Sequence, residues 1–95
     1  MNPASKMDLR LIFHSIHNVM LAEELLLQDG LAIDMQPVPR VISSDCGMCL
    51  AARSVDLPRI KVCLAKAPFT SPIEIYQSPT ADDHQIPRFE RLSTL

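Results

Sequence analysis

Met48-Cys49-Leu50-Ala51-Ala52-Arg53 is the stretch on which the architecture of this chain turns. It fits a strand, yet its leucine and alanines serve a helix equally well, and periodicity does not separate the two. The elements on either side are signalled more plainly.

Upstream, Leu9-Arg10-Leu11-Ile12-Phe13 is an apolar run bounded by His14 and Ser15, which predicts a buried strand. Ser15 can cap the helix beyond it. Ile16 to Asp29 is rich in helix formers and is closed by Gly30, the residue that best ends a helix. On a helical wheel Val19, Ala22, Leu25 and Leu26 form one stripe with Leu21 at its margin, while Met20 and Leu27 fall among Glu23, Glu24 and Gln28. That is more apolar surface than one core uses; it is either scattered surface or a contact with a partner subunit, such as a homodimer. Leu31-Ala32-Ile33-Asp34-Met35 alternates weakly and predicts a second strand that ends at the prolines.

Downstream, Asp56 followed by Leu57 and Pro58 marks a helix start, because proline in the first turn loses nothing by lacking an N–H. The helix runs to about Lys66, and Pro68 forbids long continuation. Pro72-Ile73-Glu74-Ile75-Tyr76-Gln77 alternates apolar and polar, as a strand does. From Ser78 the composition shifts to Pro, Thr, Asp, His and Arg, which predicts a C-terminal tail over 78–95, flexible or docked late, behind one domain over 9–77.

Composition narrows the function. The chain has 95 residues, 47% of them hydrophobic, enough for one core and not for two. A net charge of −2 gives no long-range attraction to nucleic acid or acidic membrane, and three Phe, one Tyr and no Trp offer bases no stacking platform. No run has the length of a signal peptide or a membrane span, and two glycines cannot build a phosphate-cradling loop of the usual kind. A cytoplasmic protein without a cofactor is expected. Three cysteines cannot close a disulfide framework, so any cysteine function is redox, carrier or metal chemistry.

Between the second strand and Met48 lies Gln36-Pro37-Val38-Pro39-Arg40-Val41-Ile42-Ser43-Ser44-Asp45-Cys46-Gly47, too irregular for one helix or strand. The prolines stiffen the approach to Arg40; Ser43, Ser44 and Asp45 can bond nearby backbone N–H groups; Gly47 permits close approach beside the Cys46 sulfur. This run, with His14-Ser15-Ile16-His17, Ala22-Glu23 and Gly30, resembles the selenium/sulfur carrier protein-like family, a small domain of unknown function. The resemblance covers roughly residues 10–77. It implies a strand for 48–53, with Cys46 and Gly47 at its entrance. The order becomes strand, helix, strand, strand, helix, strand, the split βαβ pattern of ferredoxin-like α+β folds.

Cys46 is the leading reactive group, because a thiolate is both a strong nucleophile and an acceptor of sulfur or selenium. A carrier would hold a persulfide or selenosulfide there, between a donor of the cysteine desulfurase or selenocysteine lyase type and an acceptor protein. Arg40, Ser43, Ser44 and Gly47 would shape the loop; Arg40 can steady a negatively charged sulfur, and Asp45 works against it. His17 and Glu23 match recurring positions of the family, and Glu23 could pair with Arg40 to hold the loop.

Two other readings stand beside the carrier. Cys46-Gly47-Met48-Cys49 is a C-x-x-C, which makes Cys49 a candidate resolving thiol, but on a strand the two sulfurs would face opposite ways, so buried filler is the favoured role of Cys49. His14, His17, Cys46 and Cys49 could in principle supply four zinc ligands, so a metal-binding protein using Cys46 and Cys49 belongs to this same alternative, but the spacing is not a standard zinc one and no metal is expected. Cys63 is read as a small core hydrophobe. The remaining reading is an interaction module that uses the loop and the outer face of the first helix.

Overall fold

The computed structural model describes residues 7–39, 42, 46–69, 71–77 and 90–94, the last for their backbone only. Four strands and two helices follow the expected order: β1 (Leu9–Ile12), α1 (Ile16–Gln28), β2 (Ile33–Pro37), β3 (Met48–Ala52), α2 (Leu57–Ala65) and β4 (Glu74–Gln77). A single 3₁₀ turn, Ser54–Asp56, leads into α2. Residues 90–94 add a fifth strand, β5 (Glu90–Thr94), to what the sequence reads as tail.

The sheet order is β2-β3-β1-β4-β5, with every neighbouring pair antiparallel. Placing β3 between β1 and β2 is what makes the pattern a split βαβ: each helix crosses over one intervening strand. The stretch 48–53 is therefore a strand, and its register explains why alanine and leucine serve there. Leu50 lies between Leu11 and Met35, and Ala52 between Leu9 and Ile33. Cys49 to Ala52 are all 0% exposed, with Leu50 and Ala52 in the main core and Cys49 in a second cluster, so both faces of β3 are covered and it loses the alternation of a half-exposed strand.

Both helices pack on one face of the sheet. Val19, Ala22 and Leu26 of α1 and Ile60 and Leu64 of α2 meet Leu9, Leu11, Leu50, Ala52 and Ile75 in the main core. Phe13 extends this core past the end of β1 and packs on Phe69, ring centroids 6.4 Å apart. On the opposite face Ile12, Cys49 and Ile42 form a second, smaller cluster, with Val38 and Tyr76 against it. As the wheel predicts, Met20 and Leu27 stay exposed, at 57% and 53%. Leu21 and Leu25 are half-buried.

The helix ends show how local chemistry sets the boundaries. Gly30 sits at φ +81°, Leu31 N–H bonds the Leu26 carbonyl and Gly30 N–H the Leu27 carbonyl, a Schellman closure that only glycine enters without strain. Leu31 is consumed by this closure and buried, so β2 begins at Ile33 rather than at Leu31 and runs on through Pro37. β2 is the sheet edge, where a proline without an N–H is tolerated. Neither Ser15 nor Asp56 makes a side-chain cap. The Asp56 carboxylate accepts from Arg53 Nε at 2.9 Å instead.

Asp8 fastens the start of β1 to two distant segments. Its Oδ1 accepts from Ser54 N–H at 2.9 Å and its Oδ2 from Gln77 Nε2 at 2.9 Å. Burial pushes its carboxyl up, but the hydrogen bonds from Gln77 and Ser54 outweigh that and hold it below its ordinary value. The folded state thus binds this proton more weakly than the unfolded chain. The resulting stability is complete above the ordinary aspartate range and is lost as pH falls through the folded value. Asp8→Asn should lower the unfolding free energy by about 1 kcal/mol near neutral pH and flatten this acid dependence, read from urea midpoints across pH.

Candidate functional site

β1 ends at Ile12, and Phe13-His14-Ser15 lead straight into the first turn of α1. Beside this junction the chain returns from its long loop into β3. Val38 N–H bonds the Gly47 carbonyl at 3.0 Å, which extends the β2–β3 ladder by one step and closes the base of the loop. Within it Ile42 N–H bonds the Pro39 carbonyl at 3.0 Å, and the Ile42 side chain is tucked, 8% exposed, over Cys49 and Ile12. Arg40, Ser43, Ser44 and Asp45, and with them their expected loop-shaping roles and the pairing of Arg40 with Glu23, lie outside the described residues.

Cys46 is half-buried and packs against the helix-side core. Its Sγ lies 3.3 Å from the Phe13 carbonyl oxygen and 3.2 Å from that of Met48, so its one S–H donates to either. The thiol is thereby held at the seam between the end of β1 and the start of β3. Gly47, exposed, turns the chain at φ +78° with no heavy atom within 4 Å of where a Cβ would stand. Gly47→Val therefore meets backbone strain without crowding and should cost about 1–2 kcal/mol, read as a shift in urea midpoint.

Cys49 sits in the opposite environment. It is 0% exposed in the second cluster, with its Sγ 3.8 Å from the Pro37 carbonyl oxygen. Burial pushes its thiol up, only partly countered by the positive charge of Arg10, and Cys46 adds to the rise. Cys63 is half-buried on α2 and directs its Sγ at the Leu25 carbonyl of α1, 3.6 Å away, beside a groove that Leu21, Leu25, Lys66 and Pro68 also line.

The two histidines differ. His17 is exposed on the first turn of α1, and His14 is half-buried with Nε2 3.7 Å from Glu74 Oε2, whose Oε1 accepts from the Tyr76 hydroxyl at 3.2 Å. Glu23 is half-buried further along α1. Among the described residues no three His, Cys, Asp or Glu side chains gather as metal ligands, and no helix is long and apolar enough to cross a membrane.

Sequence reasoning did not single out Asn18, which is 4% exposed and donates from Nδ2 to Ser71 Oγ at 3.0 Å, tying the first turn of α1 to the segment before β4. The signal was its place in the buried row with Ala22, four residues on. Glu74 and Tyr76 show in the sequence only as the beat of β4 opposite to Ile73 and Ile75. The carbonyls of Phe13 and Met48 carry no side-chain signal at all.

The arrangement defines a class: a small antiparallel α+β domain of split βαβ topology that presents one half-buried thiol at the seam where β1 and β3 meet. The chain belongs to the family described as Putative Se/S carrier protein-like, which matches residues 8–77. That span runs from Asp8 to the last residue of β4; it takes in Cys46 and leaves β5 outside. No curated protein and no solved structure matches the chain.

Proposed function

We propose that this chain carries a sulfane sulfur or a selenium atom on Cys46, between a donor enzyme of the cysteine desulfurase or selenocysteine lyase type and an acceptor protein. What supports the reading is the position of Cys46 within a member of this family: of the three thiols it alone stands at a strand junction beside an exposed glycine. The Cys46 thiolate attacks the outer chalcogen of the donor's persulfide or selenosulfide, the bond to the donor cysteine breaks, and that cysteine leaves as a thiolate. No electrons are gained or lost overall, so the step asks for neither cofactor nor metal. Arg40, Ser43, Ser44 and Gly47 are assigned to the loop around the loaded atom, with His17 and Glu23 on the adjoining helix.

The test is to incubate the reduced protein with a cysteine desulfurase and cysteine and to take intact and peptide masses. One added sulfur on the peptide containing Cys46 is the expected result. A correctly folded protein that takes up none overturns the proposal.

A further inference from the structure

We infer that a chalcogen carried on Cys46 can be discharged only by a nucleophile that a partner brings, because the chain's own two other thiols are held out of line with it. The inference rests on the carrier reading above and concerns how the loaded state ends.

A persulfide beside a second cysteine has a competing fate. If Cys49 attacked the Cys46 Sγ, the bond from Sγ to the outer sulfur would break, hydrosulfide would leave with that electron pair, and a Cys46–Cys49 disulfide would remain. The cargo would be lost as sulfide and the carrier oxidised. The C-x-x-C spacing invites this reaction in a flexible chain.

The fold prevents it in three ways. Leu50 and Ala52 face the helices, so Cys49, one step along the same strand, faces the other side of the sheet, whereas Cys46 packs on the helix side. A disulfide needs Cβ vectors that converge, and the two thiols pack into separate clusters on opposite faces of the sheet. Cys49 is also sealed, 0% exposed beneath Ile42. Its thiol is pushed up by burial, which keeps it in the poorly nucleophilic protonated form.

Cys63 is excluded by distance rather than orientation. Its Sγ bonds the carbonyl of Leu25, whereas Cys46 bonds that of Phe13, before the start of α1. The helix from Ile16 to Leu25 rises about 13 Å between them. Transfer to an acceptor then takes one route: the acceptor's thiolate attacks the outer atom, Cys46 leaves as a thiolate, and the chalcogen keeps its oxidation state. The acceptor must bring that thiolate to the β1–β3 seam, where Cys46 is held.

The experiment uses a surrogate cargo, so that it does not depend on any donor enzyme. The full chain carrying Cys63→Ser is treated with dithiobis-nitrobenzoate, excess reagent is removed, and release of the second nitrothiobenzoate is followed alongside intact and peptide masses, with Cys49→Ala/Cys63→Ser in parallel. The expected result is a mixed disulfide on Cys46 whose half-life agrees between the two variants within about twofold, and which added thiol discharges. In urea the Cys63→Ser chain should release the second group at least about tenfold faster, with an internal disulfide, because the unfolded C-x-x-C is free to close. Spontaneous second release in the folded protein that needs Cys49 overturns the inference and leaves the carrier reading standing. Failure of folded Cys46 to accept the reagent instead removes the carrier reading, and this inference with it.

Discussion

Cys46→Ser should abolish chalcogen loading, with the mass increment falling below detection, while Cys49→Ala and Cys63→Ser each retain it within about twofold of the parent chain. Serine is nearly isosteric with cysteine, and its one hydroxyl can donate to either of the two carbonyls, of Phe13 or Met48, that hold the thiol. The fold should therefore survive, and the loss would be one of chemistry: an alkoxide is not formed at neutral pH, and an oxygen–sulfur link is not a persulfide. The contrast with Cys49 is the informative part. It is buried among Ile12, Ile42 and Val38, so alanine there leaves a small cavity and lowers stability by about 1 kcal/mol without touching the loading step. Loading that disappears with Cys49→Ala but survives Cys46→Ser would reverse the assignment. Intact mass after donor treatment separates the two, with a urea midpoint on each variant as the folding control.

Leu50→Ala should lower the unfolding free energy by about 3–4 kcal/mol, the largest stability effect expected of any single side-chain truncation in β3. Leu50 is 0% exposed and stands in register with Leu11 on one side and Met35 on the other, facing both helices at the middle of the main core. Removing three carbons there withdraws contacts from the sheet and both helices together, and a strand held on both edges cannot collapse into the gap. A domain of this size has roughly 5–15 kcal/mol in all, so the variant should sit near its threshold. Leu27→Ala on the exposed side of α1 is the matched control and should change stability by less than about 0.5 kcal/mol. Urea unfolding by circular dichroism measures both; equal effects would mean that α1 is packed on the face the structure leaves open.

The fold was legible where a single physical cause dominated. Gly30 ended α1, Pro58 opened α2, and the alternation of Ile73 and Ile75 marked β4, whereas β2 ran on past its expected end at Met35 and through Pro37. The stretch 48–53 was not decided by pattern, because an interior strand covered on both faces loses its period; the loop's resemblance to a family decided it. β5 was missed because Glu90–Thr94 follows a polar segment and draws its pairing from the free edge of β4. Cys46 is singled out in the sequence by its glycine and its loop. Its two hydrogen-bond partners are not, since backbone carbonyls brought together by sheet register leave no trace in residue identity.

The position of β1 in the sheet also sets a timetable for synthesis. β1 is made before both of the strands it pairs with: it lies between β3 and β4, and Leu9 finds its register partners only at Ala52 and Gln77. At ribosomal elongation rates the apolar run Leu9–Phe13 is without either partner strand for on the order of seconds after it is made. Only α1, whose contacts are local, can form in that interval. Completion of the sheet around β1 is thus deferred until β4 has been made, and a chain that stops short of Glu74 would leave the β4-facing edge of β1 open to whatever strand it meets first.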